Sequence, residues 1–234
     1  ITCRGPFPLG STPNNNPIGV SDAFGPQEQI CFKAKVTYND EPVEYKPVGF
    51  EVINPLGQRI DFRVADTNAS GIAVVCFRIP WEGSDAEDYF GNFTVIATVD
   101  VAGSIVTDTV IFYFGYIIYV SDSWVDPTAV YKLGSITVTI ELTSMSMASH
   151  PAYLTIVASD ACGVPIGCIV AAINVPAGVT LWNAYTIIIP RWAFVGMGTV
   201  YTNVFTTLPS WGGVPYCPEH EQPFQILKTP GADP

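Results

Sequence analysis

The chain has 234 residues; 48% are hydrophobic, only 13% are charged, and the formal net charge is −11 at pH 7. That balance excludes intrinsic disorder, which needs low hydrophobicity and high charge. Ten Lys plus Arg, scattered without a polybasic run, argue against binding to nucleic acid or to an anionic membrane surface. The polar surface must therefore come mostly from Thr, Ser, Asn, Gln and Tyr, which suits packing against copies of the same chain.

The first stretch, residues 1–28, stands apart. "GPFPLGSTPNNNPIGVSDAFGP" is rich in Pro, Gly and Asn and has no sustained period, so it reads as an extended N-terminal arm. The start at Ile1 rather than Met is read as a mature form whose leader has been removed. Cys3 could tie the arm down through a disulfide.

Residues 29–115 carry short alternating runs separated by turn signals. Ile30 to Tyr38 places Ile30, Phe32, Ala34, Val36 and Tyr38 on one face and Cys31, Lys33 and Lys35 on the other, followed by an Asn39-Asp40 turn. Val48 to Ile53, Arg59 to Ala65, Ile72 to Ile79, Phe93 to Val101 and Ser104 to Phe114 continue the series. This is the spacing of a β-sandwich. Within Ile72 to Ile79, Ala73, Val75, Phe77 and Ile79 form the expected core face.

A second series runs over residues 116–234. Ser135 to Leu142 alternates without a break, and Tyr153 to Ala158, Ile166 to Val175, Val179 to Ile189, Thr199 to Thr206 and Phe224 to Leu227 follow. The apolar run "VIFYFGYIIYV", Val110 to Val120, is too short to span a membrane as a helix and joins the last strand of one domain to the first of the next. So short a junction predicts a stiff two-domain rod.

Six cysteines are present: Cys3, Cys31, Cys76, Cys162, Cys168 and Cys217. The even count and the absence of CxxC favour disulfides over zinc. Cys31 and Cys76 lie on outer faces of their strands and are expected to bridge. Cys162 and Cys168 flank "GVPIG" and suit a local hairpin bridge, which leaves Cys3 and Cys217 to pair within or between chains; Cys162–Cys217 or Cys168–Cys217 is the alternative. Sequons at Asn68 and Asn92 are candidate N-glycosylation sites. Together these features point to an extracellular, secreted or cell-surface protein.

"TNASGIA" (Thr67–Ala73) resembles the T-[D/N]-x-x-G-x-A signature of bacterial Ig-like and macroglobulin-like sandwiches. "NDEPVEYKPVGFEVINPLGQ" is similar to a second run of those modules, departing at Glu41 where Gly usually stands. "VYKLGSITVTIELTS" and "GTVYTNVFTTLPSWGGVPYCPEHEQPFQI" resemble adhesion-type Ig-like domains of archaeal surface proteins. The resemblance implies an all-β chain of two Ig-like β-sandwich domains in tandem, preceded by the arm. It is similar in plan to archaeal extracellular filament subunits with tandem Ig-like domains.

Signs of catalysis are thin. His150 and His220 sit in neither HExxH nor beside a GxSxG elbow, so the chain is read as no enzyme and as needing no cofactor. "WEGSDAEDYFGN" carries Glu82, Asp85, Glu87 and Asp88, weak candidates for Ca²⁺, although a solvated acidic loop is the plainer account. Trp182 with Tyr185, Trp192 and Trp211 could form a carbohydrate-stacking platform; core and inter-strand packing is the plainer account. The function expected is a structural subunit of an extracellular filament or surface layer. It polymerises with copies of itself by inter-subunit β-strand addition, or donor strand complementation, with possible N-linked glycans. The alternative is a monomeric cell-surface adhesin or glycan-binding module.

Overall fold

The computed structural model describes residues 2–4, 22–79, 86–178 and 180–229. Among them it is all-β, with eighteen strands, two single-turn 3₁₀ helices and no α-helix. No helix among the described residues is long and apolar enough to cross a membrane. The chain divides into two compact units, Ile1–Ile117 with Ser146–Ala148, and Ile118–Met145 with Ser149–Pro234.

In unit 1, β1 (Thr2–Arg4), β3 (Ile30–Lys35) and β8 (Ile72–Phe77) form a three-stranded sheet in the order β1-β3-β8. A five-stranded sheet runs β2 (Ala23–Phe24), β10 (Ser104–Phe114), β9 (Gly91–Val101), β6 (Pro47–Ile53) and β7 (Arg59–Asp66). Alternation explains the layers. Val48, Phe50 and Val52 of β6, Phe93, Val95 and Ala97 of β9, and Phe32, Ala73 and Val75 from the opposite sheet all point inward and are buried. Phe32 and Phe112 meet across the sheets with ring centroids 5.5 Å apart.

The run expected from Ile30 to Tyr38 stops at Lys35. Thr37–Tyr38 (β4) instead pairs with Glu41–Pro42 (β5), and Asn39 and Asp40 both adopt positive φ between them. Two such residues suit the tight hairpin turn that matches strand twist. The N-terminal arm, residues 1–28, is expected as an extended arm rather than a packed element of its own domain, but it supplies two short strands to unit 1: β1 lies antiparallel to β3, and β2 parallel to β10. Phe24 of β2 is buried in the core.

Unit 2 repeats the arrangement. β11 (Ile118–Asp126), β13 (Ser135–Ser144) and β16 (Thr180–Ile188) form the three-stranded sheet. β12 (Ala129–Tyr131), β18 (His220–Leu227), β17 (Gly196–Phe205), β14 (His150–Ser159) and β15 (Pro165–Val175) form the five-stranded one. β12 runs parallel to β18, as β2 does to β10. Ile136, Val138, Ile140 and Leu142 face Leu154, Ile156 and Val204 as the buried layer.

Candidate strand-acceptor groove

The site of interest follows from a difference between the two units. In unit 2, β11 pairs along β13 from Thr137 to Ser144, interrupted only by a bulge at Ser121. In unit 1, β1 pairs with Cys31, Phe32 and Lys33 alone. Beyond Lys33, no described strand lies beside β3 on that side, although β8 continues to pair on the other side through Lys35.

The consequence is visible on β10. Ser104, Val106, Asp108, Val110, Phe112 and Phe114 share one face, because they are two residues apart. Val110, Phe112 and Phe114 are buried, whereas Val106 is 50% exposed and Ser104 and Asp108 are exposed. One inward face therefore changes from covered to open part-way along the strand. A groove of about 670 Å³ lies there, whose apolar lining is Ala34 and Val36 of the β3 end, Val48, and Ala97, Val99 and Val101 of β9 together with Val106. Its polar lining is Lys35, Thr37, Ser104, Thr107 and Asp108. A groove with an apolar floor beside an unpaired strand edge can accept one more extended strand. Main-chain hydrogen bonds would go to β3 and alternate side chains into the floor.

The other predicted sites fall elsewhere. Cys31 and Cys76 stand directly opposite each other on β3 and β8 and form a disulfide, with Cα atoms 4.1 Å apart. Three further cysteines are free, which corrects the remaining expected pairings. Cys162 lies in the β14–β15 turn and Cys168 faces Val157 further along β15. The extended strand between them carries Cys168 out of reach at roughly 3.3 Å per residue. Cys217 is 1% exposed and free, so it bridges neither Cys3, Cys162 nor Cys168. The side chain of Cys3 lies outside the described set.

Asn68 and Asn92 are both exposed. The Asn68 Oδ1 accepts hydrogen bonds from the backbone N–H of Ser70 and Ile72, at 2.9 and 3.1 Å, which fixes the turn before β8. Of the acidic loop, Glu82 and Asp85 lie outside the described residues. Glu87 accepts the Tyr116 hydroxyl at 2.6 Å, and among the described residues no cluster of three metal-ligating side chains exists.

Trp182 and Tyr185 do not share a carbohydrate platform, the lesser of the two readings of these aromatics, because residues three apart on a strand point to opposite faces. Tyr185 stands opposite the buried Val138, while Trp182 points outward. Trp211 packs against Tyr153 on a different sheet, and Trp192 lies in the turn after β16. The His220 Nδ1 lies 3.1 Å from the Ser123 Oγ, and His150 is buried against the Tyr216 ring. Ser123 is itself buried, so the pair ties β11 to β18 rather than presenting a nucleophile.

No family model and no curated protein sequence matches the chain. Among solved structures, it is similar to an alkylpurine DNA glycosylase of Pseudomonas fluorescens, at 15% identity and a TM-score of 0.37, over 47% of this chain and 30% of that one. A Salmonella alpha-2-macroglobulin matches at 10% identity and a TM-score of 0.35, over 89% of this chain and 16% of that one. The C-terminal domain of wzt matches at 8% identity and a TM-score of 0.40, over 48% and 74% of the two chains. The chain thus spans under a third of the glycosylase and about a sixth of the macroglobulin. Likenesses this distant carry no argument about activity.

Proposed function

We propose that the protein is a structural subunit of an extracellular filament, built of two Ig-like sandwiches, that polymerises by strand addition into the unit 1 groove. The observation that carries this reading is the half-open inner face of β10 beside an edge of β3 that β1 covers for only three residues. The incoming strand is the N-terminal segment of a second copy. Residues 5–21 connect β1 to β2, and a chain of that length can reach at most about 60 Å when extended. That span lets β1 leave its own unit while β2 stays in the core. A head-to-tail contact of this kind gives an open polymer where its rotation does not close into a ring.

Further support is chemical. The surface is poor in charge, the Cys31–Cys76 bridge suits an oxidising compartment, and Asn68 and Asn92 are exposed for N-linked glycans. On this reading the chain is no enzyme and carries no cofactor.

The test must respect the fold. Removing residues 1–28 would take Phe24 out of the core, so the informative truncation removes residues 1–21 and keeps β2. Under electron microscopy that chain is expected to remain monomeric while the full chain forms filaments. Val106→Glu, placed in the exposed part of the groove, should give the same loss with an unchanged melting temperature. Normal filaments from both variants would overturn the proposal.

A further inference from the structure

Unit 2 carries a second exposed feature, independent of polymerisation. On the outer face of its three-stranded sheet, Trp124 of β11 and Trp182 of β16 meet above β13, with ring centroids 5.2 Å apart and planes tilted by 56°. They are 40% and 50% exposed. Register explains the meeting. Trp124 stands opposite Thr139 and Trp182 opposite Glu141, so the two indoles lie on adjacent rows and lean towards each other across β13. In the Trp124 row, β16 offers only Ala184, which leaves space beside the rings.

Polar groups frame the indoles. The Ser121 hydroxyl donates to the Glu141 carboxylate at 3.0 Å and lies 3.1 Å from the Thr143 hydroxyl, which is 3.4 Å from that of Thr180. The bulge at Ser121 is what turns that hydroxyl towards Glu141. Asp122 is exposed in the same row as Glu141. None of the three strands contains Lys or Arg.

We infer that this face binds a neutral glycan. Exposed indole faces stack on the C–H faces of a pyranose, and carboxylates and hydroxyls accept from and donate to its hydroxyls. With no Lys or Arg on these three strands, Asp122 and Glu141 repel uronates and sulfated sugars. The main-chain groups of β13 are spent on both neighbours, so no further strand can pair with the strand beneath the indoles.

The test uses the full chain in affinity electrophoresis and a microarray of neutral gluco-, manno- and N-acetylglucosamine oligosaccharides, with polygalacturonate as the acidic control. Neutral glycans are expected to bind and to alter tryptophan fluorescence, and polygalacturonate is not. Trp124→Ala and Trp182→Ala should each weaken binding about tenfold or more, Trp182→Phe should retain most of it, and Trp211→Ala should leave it unchanged. Three results would overturn the inference. The full chain could bind no neutral glycan; the alanine variants, melting as the parent does, could bind as the parent does; or the double alanine variant could lose polymerisation, which would assign the face to contacts between copies.

Discussion

The Asp160 Oδ2 accepts a hydrogen bond from the Phe194 backbone N–H at 2.9 Å, fastening the loop between β16 and β17 to the β14–β15 turn. Its Oδ1 accepts from the N–H groups of Cys162 and Val164, at 2.9 and 3.1 Å. Burial pushes the carboxyl's pKa up, but the three N–H donors and the charge of Lys132 outweigh it and hold the group below the ordinary carboxylate value. A lowered folded pKa means stabilisation that is complete above about pH 4 and is lost as pH falls through the lowered value. Asp160→Asn keeps one acceptor and loses the bond to Phe194. It should cost about 1–2 kcal/mol at neutral pH and flatten the acid limb of the melting curve. Thermal melts of both proteins across acidic pH check this; superimposable curves would remove the role assigned to Asp160.

The Cys31–Cys76 disulfide closes a separation of 45 residues. In the chain-entropy model a loop of that length is worth about 4 kcal/mol. Reduction, or the double change Cys31→Ala with Cys76→Ala, should lower the melting point of unit 1 and leave that of unit 2 in place. Calorimetry with and without reductant reads the two transitions separately.

Gly71 closes the turn that Asn68 organises. Its φ is +71°, and an added Cβ would collide with the Val36 carbonyl. That carbonyl already accepts from Val43, and Val36 in turn donates to the Gly71 carbonyl at 2.8 Å. Neither partner can retreat without breaking the β3–β8 end. Gly71→Ala should therefore cost about 2–3 kcal/mol, more than the ordinary penalty for a left-handed residue. Denaturant unfolding gives the value, and a cost below about 1 kcal/mol would show that the β3 end can shift.

The free thiols should differ in reactivity. Burial pushes the Cys217 thiol up to about 11, partly offset by a backbone hydrogen bond involving Val204. Cys162 and Cys168 are exposed. Iodoacetamide at mildly alkaline pH should label those two and spare Cys217 until the chain is unfolded. Peptide mass spectrometry before and after denaturation decides it.

Much of the fold is legible as alternation. β6, β9 and β13 follow their apolar period residue by residue, and the parity of Cys31 and Cys76 anticipates their meeting. The shortest strands are not legible. β1, β2 and β12 are two or three residues long, too short to show a period, and owe their existence to the neighbour each one borders. The later part of β11, "SDSWVD", is polar, and its bulge at Ser121 breaks the alternation that would reveal it. For the same reason Trp124 draws no notice as a partner of Trp182. The groove is invisible for a different reason. Val106 and Asp108 have the same parity as Val110 and Phe112, and nothing in a strand's own residues says how far the opposite layer extends over it.

One property of β1 bears on kinetics. Because it is seated in its own chain, a strand offered by another molecule to the Cys31–Lys33 part of β3 must displace a competitor that belongs to the same chain. A competitor joined to its own acceptor through the chain is held at a local concentration on the order of millimolar. If chains associate by strand addition as proposed, dilute chains are protected against premature association, and exchange becomes competitive only where chains are crowded to a comparable level.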